Sequence, residues 1–478
     1  MTQPDPRSSR RARLGVLAIC CLSIFVVSLD NTIVNVALPS IRRELSASVS
    51  QLQWVVDAYT VVLASLLVLA GSIADRVGRA RIFRVGLVLF ITGSVLCSAA
   101  PSASWLIAFR AVQALGGSML NPVAMSIIRN TFTDERERAQ AIGVWGGVVG
   151  LSMALGPLLG GGLIAVAGWR AIFWVNAPVG LLAVVLVRRF VPESRASEPR
   201  RVDPVGQALV IVALGALTYA IIESGSNGVA SARTLGTAAI AVAALVSFVA
   251  YEWRRSDPLI DPRFFRSIPF SGAAAIAIAG FTALGGFLFI TNLYLQSDRG
   301  LSPVHAGLYT LPMAASAFVA APLSGRLVGK RGARLSLVAG GAGLAIGSLL
   351  LTGLEPTTPV GRLLIAYLIF GLGFGMVNPP ITNTAVSGMP AAQAGVAAAI
   401  ASTSRLVGIS LGVAIIGAII AAGHAGTSFA QASRAGWWVM TACGLVVVAL
   451  GIASTTAHAL ATARAATGPQ AREDLAAA

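Results

Sequence analysis

Residues 28 to 39 read SLDNTIVNVALP and set one carboxylate, Asp30, in an otherwise apolar run. A charge of the opposite sign, Arg110, lies in RAVQALGG, and a second carboxylate, Asp57, in QWVVDAYT. An ionisable side chain in the middle of a membrane helix costs roughly 2.5 to 3.5 kcal/mol on insertion scales, a cost seldom tolerated without a use. A carboxylate can take up and release a proton: burial favours its neutral form and a nearby cation its ionised form. Arginine stays charged in any plausible environment. Asp30 is therefore a candidate proton carrier that Arg110 modulates; a permanent structural ion pair of the two is the other reading, and the two are compatible. Asp57, near the outer end of its run, is either a group for proton access or cation attraction, or a wet helix end. Glu223, at the edge of another run, reads as a solvated terminus, and Arg405 as either a contact for a polar or anionic ligand or a partner of helix carbonyls.

The elements that must hold these groups are membrane helices. Of the 478 residues 56% are hydrophobic and 11% charged, where soluble domains carry about a quarter charged. Fourteen apolar runs long enough to cross ~30 Å of hydrocarbon are expected near 14–38, 52–73, 83–100, 104–128, 139–166, 171–190, 205–222, 235–251, 270–295, 304–324, 335–353, 361–384, 394–422 and 435–456. The net charge of +16 is explained by position. With the N-terminus cytoplasmic, 26 of the 35 Lys and Arg fall in inner segments and 7 in outer loops, leaving Arg110 and Arg405 within spans. That is the positive-inside pattern, and it argues against nucleic-acid binding. The first run is too long for a signal peptide and is followed by no cleavage site. Cys20, Cys21, Cys97 and Cys443 lack CxxC spacing, which argues against disulfides and metal sites, and the three histidines are far apart. GISLG from Gly408 lies in an apolar helix rather than at a strand-to-helix turn, and no phosphate-binding loop occurs, so no enzyme and no cofactor is expected.

The runs are repeated. GSIADRVGRAR from Gly71 is echoed by GRLVGKRGAR from Gly325, and LIAFRAVQALGGSMLNP from Leu106 by LIAYLIFGLGFGMVNP from Leu364. The expected organisation is a tail (1–13), a six-helix half (14–190), a linker with two extra helices (191–268), a second six-helix half (269–456) and a tail (457–478). Halves related by an axis normal to the membrane place a binding site between them near the midplane. Leu368 stands where the repeat would put a second Arg110, and Gly329 where it would put a second Asp75, so the charges belong to the first half alone. In the first loop glycines permit a tight turn, while Asp75 can pair with an arginine or a helix N-terminus. Such a loop is either a conformational latch or a surface charge cluster.

These motifs together resemble the fourteen-helix drug:proton antiporter family of the major facilitator superfamily. LDNTIVNVALP is similar to its first-helix signature (Asp30, Thr32, Asn35, Pro39), and GSIADRVGRAR to its loop motif (Gly71, Asp75, Arg76, Gly78, Arg79). GLSMALGPLLGGGL resembles the antiporter helix, with Gly156, Pro157, Gly160 and Gly161 in place and Ser152 where glycine is usual. RAVQALGG resembles the helix-4 motif with Arg110 and Gln113, Ala114 replacing a glycine; GWRAIFWVNAPVG, YLQSDRGLSPVHAG and STSRLVGISLGVAI are also typical. The resemblance implies an all-α integral membrane protein of the major facilitator fold, with fourteen helices as two six-helix repeats plus two inserted ones. It implies proton coupling through Asp30, Arg110 and Asp57, and efflux of lipophilic drugs or toxic metabolites by a monomer in the plasma membrane with both termini cytoplasmic. Asn35, Gln113, Met119, Asn121, Met376, Asn378 and Arg405 are the candidate lining of a substrate cavity, although a methionine in a helix is more often plain packing. A dedicated exporter of one metabolite is the alternative, and a non-transporting receptor on the same fold a remote one.

Overall fold

A computed structural model describes residues 10–195, 203–255, 260–387, 394–423 and 429–466, and among them every regular element is helical. The N-terminal nine residues, parts of the expected linker, His424 and most of the C-terminal tail lie outside the described residues. The helices are α1 (Arg10–Leu45), α2 (Val49–Val77), α3 (Arg79–Ser98), α4 (Ala103–Thr131), α5 (Glu135–Ala167), α6 (Ala171–Trp174) and α7 (Asn176–Phe190). They continue as α8 (Pro204–Asn227), α9 (Ala232–Trp253), α10 (Ile268–Leu293), α11 (Pro303–Arg331), α12 (Ala333–Leu349), α13 (Val360–Ser387), α14 (Ala394–Ala421), α15 (Phe429–Ala453) and α16 (Ala457–Ala466). Twelve segments among the described residues are long and apolar enough to span a membrane, α6 and α7 together forming one of them, and Leu155–Ala167 of α5 and α12 are shorter apolar helices. The sequence pattern expects fourteen spans; the sixth is interrupted at Val175, and α16 is a helix where a tail is expected.

Local chemistry sets the ends. Ser48 caps α2 in a reciprocal box with Gln51, and Ser102, Asp134 and Ser231 accept from the first turns of α4, α5 and α9. Each cap satisfies backbone donors that would otherwise be orphaned. Gly78 (φ 129°) and Gly332 (φ 78°) precede α3 and α12 at repeat-equivalent positions, where a side chain would be strained.

The chain divides into two compact units, residues 1–204 with 302–307, and 205–301 with 308–478. In the first, α1 packs along α5 and α4, and α4 lies against α2 and α3. In the second, α10 packs along α14 and α15, and α12 along α13 and α15. The helices α8 and α9, expected as a separate insertion, fall within the second unit.

Candidate proton-coupling site

The first unit holds its charges at the meeting of α1, α4 and α7. Asp30 is 0% exposed and Arg110 1% exposed, with Arg110 Nη1 2.5 Å from Asp30 Oδ2. The other carboxylate oxygen, Oδ1, accepts from Gln113 Nε2 at 2.9 Å and from Asn176 Nδ2 at 3.1 Å. Arg110 also donates to Gln113 Oε1 at 2.7 Å and, through Nε, to the Val55 carbonyl at 3.1 Å. Its guanidinium lies 4.1 Å from the Tyr59 ring centroid and 5.7 Å from that of Phe173. Asn176 donates to Ser94 Oγ at 2.9 Å, and Ser94 donates to the Phe173 carbonyl at 2.9 Å.

Helix geometry explains the convergence. Arg110 and Gln113 are three residues apart on one face of α4, so one helix offers both a cation and an amide to the same carboxylate. Asn176 is the first residue of α7, just beyond the interruption at Val175, and Gly93 lets α3 approach Gln113 so closely that an added Cβ would lie 2.5 Å from its backbone. The result is a carboxylate surrounded wholly by donors, and a guanidinium whose charge is met by a carboxylate, a carbonyl and two ring faces. Such a constellation can exchange a proton only by rearranging, since every partner of Asp30 already presents a hydrogen to it.

Several sequence expectations need amending here. Gln113, expected in a cavity lining, is fully buried in the ion-pair network because its amide is needed between Asp30 and Arg110. Asp57 is fully buried rather than a wet helix end. Asn35 is buried and donates to the Asn31 carbonyl of its own helix at 3.1 Å. Asn176, Ser94 and Tyr59 do not stand out in the sequence; an asparagine in an apolar run, in VNAPVG, is the one signal it offers.

In the loop after α2, Asp75 pairs with Arg79 one turn on at 2.9 Å, while Arg76 is exposed and a Cβ on Gly71 would sit 3.6 Å from Pro122. The start of α3 is capped from a distance: Glu193 accepts from the backbone N–H of Ala80 at 3.0 Å and of Arg81 at 3.1 Å, and Arg79 N donates to the Ser194 carbonyl. Of the two partners the sequence allows Asp75, an arginine or a helix N-terminus, it has the arginine, and Glu193 takes the N-terminus. A Cβ on Gly78 would meet the Glu193 carboxylate at 2.6 Å.

The antiporter-like stretch of α5 packs on the segment of α1 that follows Asp30. A Cβ on Gly156 would collide with Thr32 Oγ1, and one on Gly160 would sit 2.6 Å from Ile33 Cγ1. Gly161 faces Pro303 and Val304, part of the 302–307 segment grouped with this unit, and Pro157 is buried within the helix. Small residues are thus required where the two backbones touch.

Among the remaining cavity candidates, Met119 and Asn121 are half-buried on α4, and the Cβ of Met119 abuts Gly86 of α3. Met376 and Asn378 are half-buried on α13 in the second unit, where the Met376 carbonyl accepts from Ser324 at 2.7 Å. Arg405 on α14 donates to Thr382 Oγ1 and lies 5.8 Å from the Phe281 ring centroid. No group of His, Cys, Asp and Glu suited to a metal ion occurs among the described residues.

A multi-pass helical membrane fold with a buried carboxylate–guanidinium network has the form of a secondary transporter. Residues 20–413 match the family model described as Major Facilitator Superfamily, and the chain belongs to that superfamily. It is 37% identical to the Multidrug resistance protein Stp of Mycobacterium tuberculosis (strain ATCC 25618 / H37Rv), over 86% of this chain and 76% of that protein. It is 35% identical to the Tetracenomycin C resistance and export protein of Streptomyces glaucescens, over 87% of this chain and 78% of the relative. The crystal structure of a D-xylose–proton symporter shares the fold, with a TM-score of 0.67 at 16% identity, covering 92% of this chain and 96% of that one.

Proposed function

We propose that this protein is a proton-coupled secondary active exporter of lipophilic drugs or toxic metabolites. The observation that carries the reading is Asp30, sealed at 0% exposure in a membrane helix and held by Arg110, Gln113 and Asn176. Relatives named for multidrug resistance and for antibiotic resistance and export support the direction of transport. In the proposed cycle Asp30 takes a proton in the outward-open state, which removes its charge and leaves Arg110 bonded to Val55 and Gln113. Release of that proton to the cytoplasm restores the pair and is linked to uptake of the next substrate. Asp57, buried in α2, would serve proton access.

Fourteen crossings fit the contacts better than twelve. Segments expected on one side meet one another: Arg13 with Glu137 and Arg79 with Ser194 on the inner side, and Glu44 with Trp169 and Arg170 on the outer. In the second unit Arg299 donates to the Thr358 carbonyl and Arg434 to that of Thr352, again loops expected outside. This alternation needs α5 and α12 to cross as well. With the positive-inside bias it supports cytoplasmic termini in the plasma membrane, and a division into six, two and six helices. Gly71, Asp75, Arg76, Gly78 and Arg79 would act as a latch, with Met119, Asn121, Met376, Asn378 and Arg405 contributing to the substrate cavity, and the protomer would work as a monomer.

A dedicated exporter is the second reading, favoured by relatives named for single compounds such as methylenomycin A. A susceptibility panel in a pump-deficient host tests both: the wild type should raise tolerance to several unrelated lipophilic compounds, and both an uncoupler and Asp30→Asn should abolish the effect. Protection that survives both treatments would overturn proton coupling, and protection against a single compound would select the dedicated exporter.

A further inference from the structure

Two arginines lie within apolar helices, and their surroundings differ. Arg110 is met by a carboxylate, an amide and a backbone carbonyl. Arg405 forms no ion pair among the described residues: Nη2 donates to the Thr382 hydroxyl, the guanidinium lies by the Phe281 ring, and Nε is buried without an acceptor. No carboxylate of the second half is available in its spans, since Asp298 and Glu355 sit at outer helix ends or loops. Arg405 is the ninth residue of the apolar stretch Ala397–Ala421, which at 1.5 Å per residue puts it about 12 Å along the helix axis, too deep to be an end-of-helix cation. The residue is nevertheless partly exposed. A guanidinium facing hydrocarbon at that depth would be costly, which favours a polar group over lipid as its neighbour.

We infer that Arg405 is a substrate-selecting residue whose guanidinium receives an anionic oxygen of an aromatic substrate, a carboxylate or phenolate. The guanidinium fork matches a carboxylate bidentately, which an ammonium would not do. Beside it, Phe281 and Phe374 form an edge-to-face pair with centroids 5.1 Å apart, an apolar wall for the ring that carries the anion. Thr382 is neutral, so among the described residues the positive charge has no counter-charge until such a ligand arrives, and the same charge disfavours lipophilic cations. This inference rests on the efflux reading for its physiological meaning, but its own test is equilibrium binding and needs no transport.

The full chain in phosphatidylcholine nanodiscs, whose headgroups carry no net charge, is titrated with anthracene-2-carboxylate and with its trimethylammonium analogue, followed by anthracene fluorescence anisotropy. Wild type should bind the carboxylate at least about tenfold more tightly than the ammonium, as expected for one desolvated charged hydrogen-bond pair. Arg405→Gln should erase that preference while leaving ammonium binding within about twofold, and Arg405→Lys should keep part of it, because a point charge replaces the fork. No preference in wild type, or a preference undiminished in Arg405→Gln, overturns the inference. Equal loss of both probes in Arg405→Gln and Arg405→Lys would also overturn it, by making the residue structural. Failure of gradient-driven efflux with the preference intact would instead remove the transport reading.

Discussion

Replacing Asp30 by asparagine is nearly isosteric, yet the geometry of its site predicts a large effect. Oδ2 faces Arg110 Nη1, whereas Oδ1 faces two amide donors, Gln113 Nε2 and Asn176 Nδ2. An asparagine oxygen can serve only one side, so its NH2 must confront a donor on the other whichever way it is turned. The substitution also leaves Arg110, 1% exposed, without its counter-charge. Removing one partner of a buried ion pair costs about 3 to 5 kcal/mol. Arg110→Gln should cost a similar amount by stranding the carboxylate. The double variant Asp30→Asn, Arg110→Gln contains two neutral amides that can pair, so its loss should fall about 3 kcal/mol short of the sum of the two single losses, in line with about 4 kcal/mol of attraction at 4 Å and an effective dielectric of 20. Reversible unfolding of the purified full chain in mixed micelles, carried around this double-mutant cycle, measures the coupling. Additivity within about 0.5 kcal/mol would refute the argument, because independent sites behave that way. The double variant should be folded and still fail to exchange a proton, which separates the pair's structural contribution from its coupling role.

Further predictions concern the packing and the loop after α2. Gly156→Ala drives a methyl into Thr32 Oγ1 and should destabilise by about 1 to 3 kcal/mol, while Gly162→Ala, with nothing within 4 Å, should be silent; thermal unfolding of the two compares them directly. Glu193→Ala removes the acceptor for two α3 N–H groups and should cost about 0.5 to 2 kcal/mol, with faster amide exchange confined to the first turn of α3. Asp75→Asn breaks a partly exposed i,i+4 pair worth no more than about 1 kcal/mol, so stability should scarcely change while transport falls if the loop is a latch; unchanged transport would return it to a surface charge cluster.

The sequence is informative wherever a residue is out of keeping with its surroundings. Asp30 and Arg110 can be paired from the sequence because a charge within an apolar run is conspicuous, and Gly78 and Gly332 because they recur at an offset of 254. Asn176 and Ser94 are not legible in that way: neutral polar side chains are common in helices, and the bond from Asn176 to Asp30 joins residues 146 apart in the chain. Gln113 is visible but reads as a cavity residue, since a single turn of helix places it on the same face as both a cavity lining and Arg110. Glu193 lies in a charged linker, where an acidic residue draws no notice, and only its approach to Gly78 reveals it as a cap. The helix count differs at α12, whose 17 residues are short for a span, and at α5, which is 33 residues long but counts only through Leu155–Ala167 among the described residues.

The most direct test of the central claim is substrate-evoked proton movement in liposomes holding the full chain with a pH-sensitive dye inside. Adding a transported lipophilic compound should evoke proton movement opposite to the substrate in wild type, and none in Asp30→Asn protein that retains substrate binding. Proton movement of wild-type size in the Asp30→Asn protein would contradict the claim.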